Sequence, residues 1–281
     1  MQGKTVVVTG GTSGIGEVAA LRLAKMGARI VLVARDKARG EATMAELERE
    51  APQRGHAIHY ADLALLADMK RVASEIAAAE PKIDVLINNA GAMFAEREVT
   101  KDGFEKTFAL NHLSYFVMAA GLRGALIAAP AARIVNTASD AHKGAPFDIG
   151  DLQSSNNYKS FQAYGRTKLE NILFTRELAR RLEGTRATTN CLHPGFVATR
   201  FGDEAGGLIS HVIGLAKYLA ISPEEGAKTI IYLAASPEVA KTSGKYFYKC
   251  HAMPPTKDAR DDRLAGQLWQ KTVELTGVDW V

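Results

Sequence analysis

An α/β fold, with a doubly wound parallel sheet and helices on both of its faces, is predicted by two features of this sequence. Short β-branched apolar runs such as Thr5-Val6-Val7-Val8 alternate with longer stretches in which apolar residues recur at helical spacing. Each run also ends in a polar turn, and ligands of open α/β sheets bind at the carboxyl ends of the strands. The pattern is typical of a single Rossmann-type domain.

The length and composition fit one soluble globular domain that spans 1–281. The chain has 281 residues, 47% hydrophobic and 23% charged, with neither an internal repeat nor a second domain. Its net charge of +4 is spread without a basic block, so nucleic-acid binding is not expected. The first strand begins almost at the N-terminus, and no apolar run reaches membrane-spanning length. We therefore expect a cytoplasmic protein with no signal peptide and no membrane span.

A glycine-rich turn follows the first strand and reads Thr9-Gly10-Gly11-Thr12-Ser13-Gly14-Ile15-Gly16. A helical pattern follows the turn and stops at Gly27. Glycines let the backbone approach a pyrophosphate, and the helix N-terminus offers free N–H groups to that anion. The turn therefore predicts a nucleotide site, although its glycine spacing differs from the general G-x-G-x-x-G fingerprint.

The end of the second strand, Arg29 to Ala34, is where such a site reads the adenosine ribose. Arg35 stands there, and Asp36 follows it. An acidic residue holds the ribose 2′-hydroxyl of NAD(H), whereas an Arg accommodates the 2′-phosphate of NADP(H). We expect NADP(H), read by Arg35. The alternative is NAD(H), with Arg35 solvated and Asp36 reading the ribose.

The remaining strands and helices alternate in the same way. The predicted elements are a helix over 36–51, a strand over 56–60, a helix over 65–79, a strand over 83–87, a helix over 100–122, a strand over 133–138, a helix over 157–182, a strand over 187–192, a helix over 223–235, a last strand over 244–250 and a helix over 261–275.

Several chemically distinctive stretches fall at the ligand-binding edge of this predicted sheet. Asp62, the turn 88–91 and Ser139 each follow a strand, so the cofactor half of the domain covers about 1–140. The long loop over 140–160 is expected to shape a substrate pocket. The segment over 200–220 mixes Gly with apolar residues, and we expect it to close over an apolar substrate as a lid.

Tyr164 and Lys168 form the predicted chemical centre. They stand four residues apart on a helix and therefore share a face. A phenol ordinarily has a pKa of about 10, and a nearby cation is expected to lower that pKa by stabilising phenolate. The pair is then suited to general acid/base work at a carbonyl or carbinol oxygen.

Taken together, these motifs resemble the short-chain dehydrogenase/reductase family over nearly the whole chain. The likeness rests on motifs in the order TGGTSGIG (9–16), Asp62, NNAG (88–91), Asn111, Ser139, the Tyr164/Lys168 pair and PG-x-V-x-T (194–199). Within that family, the chain is most similar to the retinol-dehydrogenase-like reductases. The narrower likeness is carried by Arg35-Asp36, the Asn-His-Leu stretch at 111–113, the long gap from Ser139 to Tyr164 and His193-Pro194-Gly195.

The resemblance implies a role for each catalytic residue. Tyr164 is the acid/base, and Ser139 hydrogen-bonds the substrate oxygen and polarises the carbonyl. Lys168 lowers the Tyr164 pKa and holds the nicotinamide ribose, and Asn111 fixes a water that relays protons from Lys168 to solvent. The implied reaction is hydride transfer between NADP(H) and an apolar ketone or aldehyde, or the matching alcohol.

The resemblance also implies the residues that hold the cofactor, which lie at the turns of the predicted sheet edge. The implied cofactor-binding set is Gly10, Thr12, Ser13, Gly14, Ile15, Gly16, Arg35, Asp62, Leu63, Asn89, Ala90, Gly91, Tyr164, Lys168, Pro194, Gly195, Val197 and Thr199. Because family members commonly associate through the helix that carries the Tyr/Lys pair, we expect a homodimer or homotetramer.

Two departures from the family pattern bear on the substrate. Ala138 stands where many members have a second Ser, so Ser139 is the only candidate at that strand end. The loop between Ser139 and Tyr164 is longer than in many members, so their substrate pockets do not transfer to this chain.

Alternative readings remain open beside the enzyme. One is a catalytically silent NADP(H)-sensing regulatory or scaffold protein, although such proteins usually lose the Tyr or the Lys. Another is a nucleotide-sugar epimerase or dehydratase, which usually has a different glycine spacing and a larger C-terminal domain. Cys191 and His193 lack a second ligand pair, so no metal site is predicted. For His112 and His142, packing is favoured over catalysis.

Overall fold

The computed structural model describes residues 1–196 and 221–280, and its centre is one eight-stranded sheet. The strand order is β3-β2-β1-β4-β5-β6-β7-β8, and every neighbouring pair is parallel except β7 and β8. The strands are β1 (Thr5–Thr9), β2 (Arg29–Ala34), β3 (Ala57–Tyr60), β4 (Val85–Asn88), β5 (Arg133–Thr137), β6 (Thr188–Leu192), β7 (Tyr246–Tyr248) and β8 (His251–Met253). The predicted doubly wound α/β fold is confirmed.

Helices cover both faces of this sheet. They are α1 (Gly14–Lys25), α2 (Lys37–Glu50), α3 (Leu66–Ala79), α4 (Lys106–Phe108), α5 (Ser114–Gly121), α6 (Arg123–Ala128), α7 (Ser160–Arg181), α8 (Pro223–Ala235) and α9 (Asp262–Thr276). The helices α1, α2 and α8 bury one apolar cluster against the sheet, and α3, α5, α7 and α9 bury another against the opposite face. The strand order reverses between β1 and β4, and such a reversal opens the crevice in which these folds bind ligands.

The predicted helix over 100–122 is wrong at its start. Val99 pairs with Glu105 in an isolated bridge, and the helix begins only at Lys106. The Glu105 carboxylate accepts hydrogen bonds from the backbone N–H groups of Thr107 and Phe108, each at 2.7 Å, and so caps the helix. A wider π-helical turn, Ala109–Leu113, then separates α4 from α5. Such turns are rare and frequently mark functional sites.

The predicted last strand over 244–250 is confirmed only over Tyr246–Tyr248, because the chain then turns back into a further strand. β7 pairs with the antiparallel β8 through a turn in which Lys249 and Cys250 have φ angles of 47° and 64°. Residues other than Gly and Asn rarely take this left-handed conformation, so nothing in the local sequence predicts a turn here. The hairpin places a short antiparallel strand at the edge of an otherwise parallel sheet.

The segment predicted to close over the substrate, 200–220, lies outside the described residues, as do Val197 and Thr199. Within the described parts of the chain, no helix is both long enough and apolar enough to span a membrane.

Candidate active site

The glycine turn and the turn after β4 interlock at the carboxyl edge of the sheet. A Cβ on Gly10, whose φ is 65°, would lie 2.8 Å from the Cα of Ala90. A Cβ on Gly16 would overlap both the carbonyl oxygen of Gly10 and the side-chain nitrogen of Asn89. Only glycine therefore fits at either position while the two turns stay this close.

Thr9 joins the same two turns by hydrogen bonds. Its hydroxyl oxygen accepts from the backbone N–H groups of Asn89 and Ala90, at 3.0 and 3.2 Å. The Asn89 side chain in turn donates to the carbonyl of Gly10 at 3.1 Å and accepts from Thr137 Oγ1 at 3.4 Å. The sequence reading missed Thr9 and Thr137 as site residues, because their partners are about 80 and 48 residues away along the chain.

The rest of the glycine turn leads directly into the N-terminus of α1, and phosphates bind at helix N-termini. Ser13 occupies the N-cap position of α1, and its side chain makes no capping hydrogen bond. Gly14 follows with a φ of 57°. Thr12, Ser13, Gly14 and Ile15 are all half-buried, so the helix N-terminus opens toward the crevice.

Asn111 and Lys168 meet beside Gly91. The Asn111 side chain exchanges two hydrogen bonds with the backbone of Ala92, each at 2.9 Å, and donates to Thr167 Oγ1 at 3.1 Å. A Cβ on Gly91 would lie 3.1 Å from Asn111 Oδ1 and 3.3 Å from Lys168 Nζ. The π-helical turn and α7 therefore bring these two predicted residues to one point on the edge of the sheet.

The Lys168 side chain is 97% buried, since only 3% of its surface is exposed. Its Nζ donates to the carbonyl of Thr137 at 3.1 Å and lies 5.4 Å from the centre of the Tyr164 ring. Tyr164 is also buried and packs against Met93 and Ala141. The predicted sharing of one helix face by the two side chains is therefore observed.

Ser139 lies against Tyr164 because α7 approaches the short 3₁₀ helix Asp140–Gly144 closely. A Cβ on Gly165 would lie 2.6 Å from the carbonyl oxygen of Ala141 and 3.0 Å from Ala145 Cβ. Ser139 hydrogen-bonds Tyr164, and its Oγ accepts from the backbone N–H of Ala141 at 3.2 Å. In the protein alone, the Ser139 hydroxyl acts as the donor to Tyr164, since this bond lowers the Tyr164 pKa. Gly165, which the sequence reading passed over, makes this approach possible.

Burial sets the protonation of the Tyr/Lys pair. It raises the pKa of Tyr164 to about 12, and the hydrogen bond with Ser139 opposes this only in part. It lowers the pKa of Lys168 to about 7. The net shift of the Tyr164 pKa in the protein alone is therefore upward, because burial disfavours the phenolate, and the expected lowering by Lys168 stays a prediction.

At the end of β2, Arg35 is exposed and Asp36 caps the next helix. The Asp36 carboxylate accepts from the backbone N–H of Arg39 at 2.8 Å, and this hydrogen bond is the main reason why its pKa is lowered. One carboxylate oxygen of Asp36 is therefore already engaged in capping the helix.

The adenine end of the predicted site follows β3. Asp62 accepts from the backbone N–H of Ala64 at 3.0 Å and donates its own N–H to Asp68 at 2.8 Å. Leu63 is buried beside it. On the other side of the crevice, Pro194 and Gly195 follow β6, and Gly195 has a φ of 92°. The predicted cofactor residues within the described chain thus lie along one edge.

Comparison with known proteins matches this fold and site to one family. The family model described as short chain dehydrogenase matches residues 4–206. This chain belongs to the short-chain dehydrogenase/reductase family and is an oxidoreductase of the kind that acts on alcohol and carbonyl groups.

Among its relatives, retinol dehydrogenase 14 of Mus musculus is 40% identical and aligns over 99% of this chain and 87% of its own. Retinol dehydrogenase 13 of Homo sapiens is 38% identical over 99% of this chain and 86% of its own. Among solved structures, an uncharacterized protein from Mycobacterium Paratuberculosis superposes with a TM-score of 0.79 at 29% identity, over 100% of this chain and 96% of that one. The predicted likeness to retinol-dehydrogenase-like proteins is confirmed.

Proposed function

We propose that this protein is an NADP(H)-dependent oxidoreductase that reduces an apolar ketone or aldehyde, or oxidises the matching alcohol. The observation that carries the proposal is the buried contact of Tyr164 with Ser139, with Lys168 on the same helix face behind it. The Tyr164 phenol and the Ser139 hydroxyl are placed so that both could donate a hydrogen bond to one substrate oxygen, that of a carbonyl group.

The residues along the edge fit a nicotinamide cofactor. Glycine at positions 10 and 16 lets the turns after β1 and β4 lie in contact, and the N-terminus of α1 beside them offers its N–H groups to a phosphate. A nicotinamide cofactor bound there supplies or accepts the hydride. Gly14 and Ser13 would hold its phosphates, and Lys168 would hold the ribose beside Gly91.

The protein's own residues then handle the proton. With a pKa of about 12, Tyr164 is a neutral phenol at pH 7 and is ready to donate to the oxygen of a carbonyl substrate. The Ser139 hydroxyl donates to the same oxygen, because its own Oγ already accepts from Ala141. Lys168, with a pKa of about 7, can return a proton toward Tyr164.

Asn111 is proposed to complete the proton path by fixing a water that links Lys168 to solvent. Its Oδ1 and the Lys168 Nζ both lie beside Gly91, which is exposed. The two hydrogen bonds with Ala92 keep the Asn111 side chain in one orientation.

We propose that the protein binds NADP(H) rather than NAD(H), because of the two residues that follow β2. Reading the NAD(H) ribose would require Asp36 to accept a hydroxyl while capping α2 through Arg39. Exposed Arg35 is proposed to meet a 2′-phosphate instead. Titrating the protein with both reduced cofactors tests this assignment, and Arg35→Ser should weaken NADPH binding much more than NADH binding. Tighter binding of NADH by the unchanged protein contradicts it.

An apolar substrate is proposed because large apolar side chains flank the site. Phe161, which lies one helical turn before Tyr164, is 61% exposed, and Phe196, which follows Gly195, is 52% exposed. Exposed aromatic rings cost free energy in water and suit a wall for an apolar compound. The retinol dehydrogenase relatives make retinoids one option within this class.

The deciding experiment is NADPH oxidation with a panel of apolar aldehydes and ketones, retinal among them. Tyr164→Phe should abolish turnover while NADPH binding stays nearly unchanged. The matched control is Tyr232→Phe, which removes a hydroxyl bonded to Glu238 on the far side of the sheet and should leave turnover unchanged. Turnover that survives in Tyr164→Phe contradicts the proton-donor role. Tight NADPH binding without turnover on any compound favours the sensing alternative.

We also propose that the enzyme is a cytoplasmic homodimer or homotetramer that associates through α7 and the helix before it. Sedimentation velocity at micromolar protein tests the assembly, and a monomer at every concentration contradicts it.

A further inference from the structure

A cluster of titratable rings lies behind Ser139, at the carboxyl ends of β5, β6 and β7. It consists of His142, His193, Tyr246 and Tyr248. His142 and His193 are both at least 95% buried, since their exposed fractions are 1% and 5%. The mechanism above uses none of these four side chains.

His142 is the member of this cluster that touches the catalytic strand end. Its Nδ1 lies 2.7 Å from the carbonyl oxygen of Ser139, and a carbonyl can only accept, so Nδ1 carries the proton. Its other ring nitrogen, Nε2, accepts from the backbone N–H of Thr256 at 3.4 Å. Both contacts demand the neutral Nδ1–H tautomer, which agrees with the lowering of the His142 pKa by burial.

Neighbouring rings keep the His142 ring in place. Tyr246 packs edge-on against it, with ring centres 5.2 Å apart and planes at 70°. The Tyr246 hydroxyl is itself held by His193 Nδ1 at 2.6 Å, and His193 stacks on Tyr248 at 4.2 Å. Burial lowers the pKa of His193 to about 4, so this imidazole is neutral and accepts the Tyr246 proton. The ring of His142 therefore has little freedom to turn away from Ser139.

We propose that His142 is a positioning residue for Ser139: its ring N–H holds the Ser139 carbonyl, and Thr256 after β8 holds the ring. The position of the Ser139 hydroxyl thus depends on a backbone group more than a hundred residues further along the chain. This inference rests on the proposed function for its kinetic consequences, but the tautomer and the two contacts stand without it.

The kinetic test is His142→Phe, which keeps a ring against Tyr246 and removes both hydrogen bonds of the imidazole. Because a misplaced catalytic group loses rate, kcat should fall about 10- to 100-fold while the NADPH dissociation constant stays within about twofold. The matched control is His251→Phe. His251 also donates a ring N–H to a backbone carbonyl, that of Lys249 at 2.7 Å, but it is exposed on the edge strand β8. Its kcat should not change.

A double-mutant cycle separates positioning from general damage. If His142 acts through Ser139, then His142→Phe should cause no further loss of kcat in a Ser139→Ala background. Losses that multiply in the double variant overturn the proposal, because they show that His142 supports activity by another route.

A spectroscopic readout does not need turnover. Nitrogen-15 NMR of the histidine-labelled protein should show a neutral Nδ1–H imidazole whose signal is kept in His251→Phe, is missing in His142→Phe and shifts in Thr256→Pro. An Nε2–H tautomer at His142 overturns the proposal. Absence of turnover in the unchanged protein refutes the proposed function alone, and the tautomer then decides the present inference.

Discussion

The two faces of the sheet differ in what they bury. Under α1, α2 and α8 the buried cluster is apolar, with Leu23, Ile30 and Ile230 fully inaccessible. Under α7 and α9 the apolar cluster also encloses a run of polar side chains, among them Asn136 and Asn171, both with no exposed surface. Both faces stabilise the same sheet, yet only the second supports α7, which carries Tyr164 and Lys168.

The polar side chains of the second face are connected to each other. Asn136 accepts from Asn88 at 2.9 Å and donates to Thr175 on α7 at 3.0 Å. Asn171 donates to the carbonyl of Asn111 at 2.9 Å and contacts His112, whose other ring nitrogen bonds Thr272 on α9 at 3.2 Å.

Buried polar groups cost free energy unless they are paired, whereas a paired network has one preferred geometry. The comparison therefore teaches that the apolar face holds the sheet together and the polar face holds the proposed catalytic residues in position. His112, for which packing was favoured, packs as expected and also takes part in this network.

The largest expected effect on stability comes from the apolar face. Leu23→Ala should lower the free energy of unfolding by about 2–5 kcal/mol, because it leaves a cavity among tightly packed side chains. The kcat per folded molecule should not change, since α1 contacts no proposed catalytic residue through Leu23. Denaturant titration and active-site-normalised kinetics measure the two quantities, and a large fall in kcat would remove the distinction between the faces.

Asn171→Leu is the corresponding change on the polar face. It removes the side-chain donor to the Asn111 carbonyl and the partner of His112 Nδ1, so the free energy of unfolding should fall by about 2–4 kcal/mol. Unlike Leu23→Ala, it should also reduce kcat by about tenfold or more, because the π-helical turn that carries Asn111 loses its support. Unchanged kcat in a folded variant would show that the network serves stability only.

Lys168 adds a pH dependence that the apolar face lacks. Its pKa is lowered to about 7 in the folded protein, against about 10.4 in the unfolded chain, so folding releases its proton between these values. Stability relative to Lys168→Met should therefore rise with pH from about 7 to 10, by at most about 1.4 kcal/mol per pH unit. Below pH 7, the full cost of burying the ammonium remains. Thermal unfolding of both proteins at pH 6.5, 8 and 9.5 tests this slope, and parallel curves refute it.

The smallest expected effect is at Glu170, a fully buried carboxyl on α7. Neither of its oxygens has a hydrogen-bond partner among the residues that the structure describes, and burial raises its pKa well above the ordinary value. Above its unfolded pKa of about 4.3, Glu170 therefore opposes folding, increasingly so until the pH reaches its folded pKa. Glu170→Gln should therefore stabilise the protein at pH 8 and have no effect at pH 3.5. A loss of stability at pH 8 would show that the carboxyl has a favourable partner.

The local patterns of the sequence determined most of the fold and the candidate site. Periodicity alone predicted the strands of the parallel sheet, because a buried strand is a short β-branched run wherever it lies. The glycine turn and the Tyr164/Lys168 pair were predicted for a similar reason. The chemistry of each depends on spacings of a few residues, and these spacings can be read along the chain.

Tertiary structure alone decided the features that depend on distant partners. The edge hairpin, the contact of His142 with Thr256 and that of Asn171 with Asn111 join residues whose proximity no local pattern encodes. The pKa of Tyr164 belongs to the same group. A sequence shows that Lys168 is near, but only packing shows that both groups are buried, and burial shifts both pKa values toward the uncharged forms.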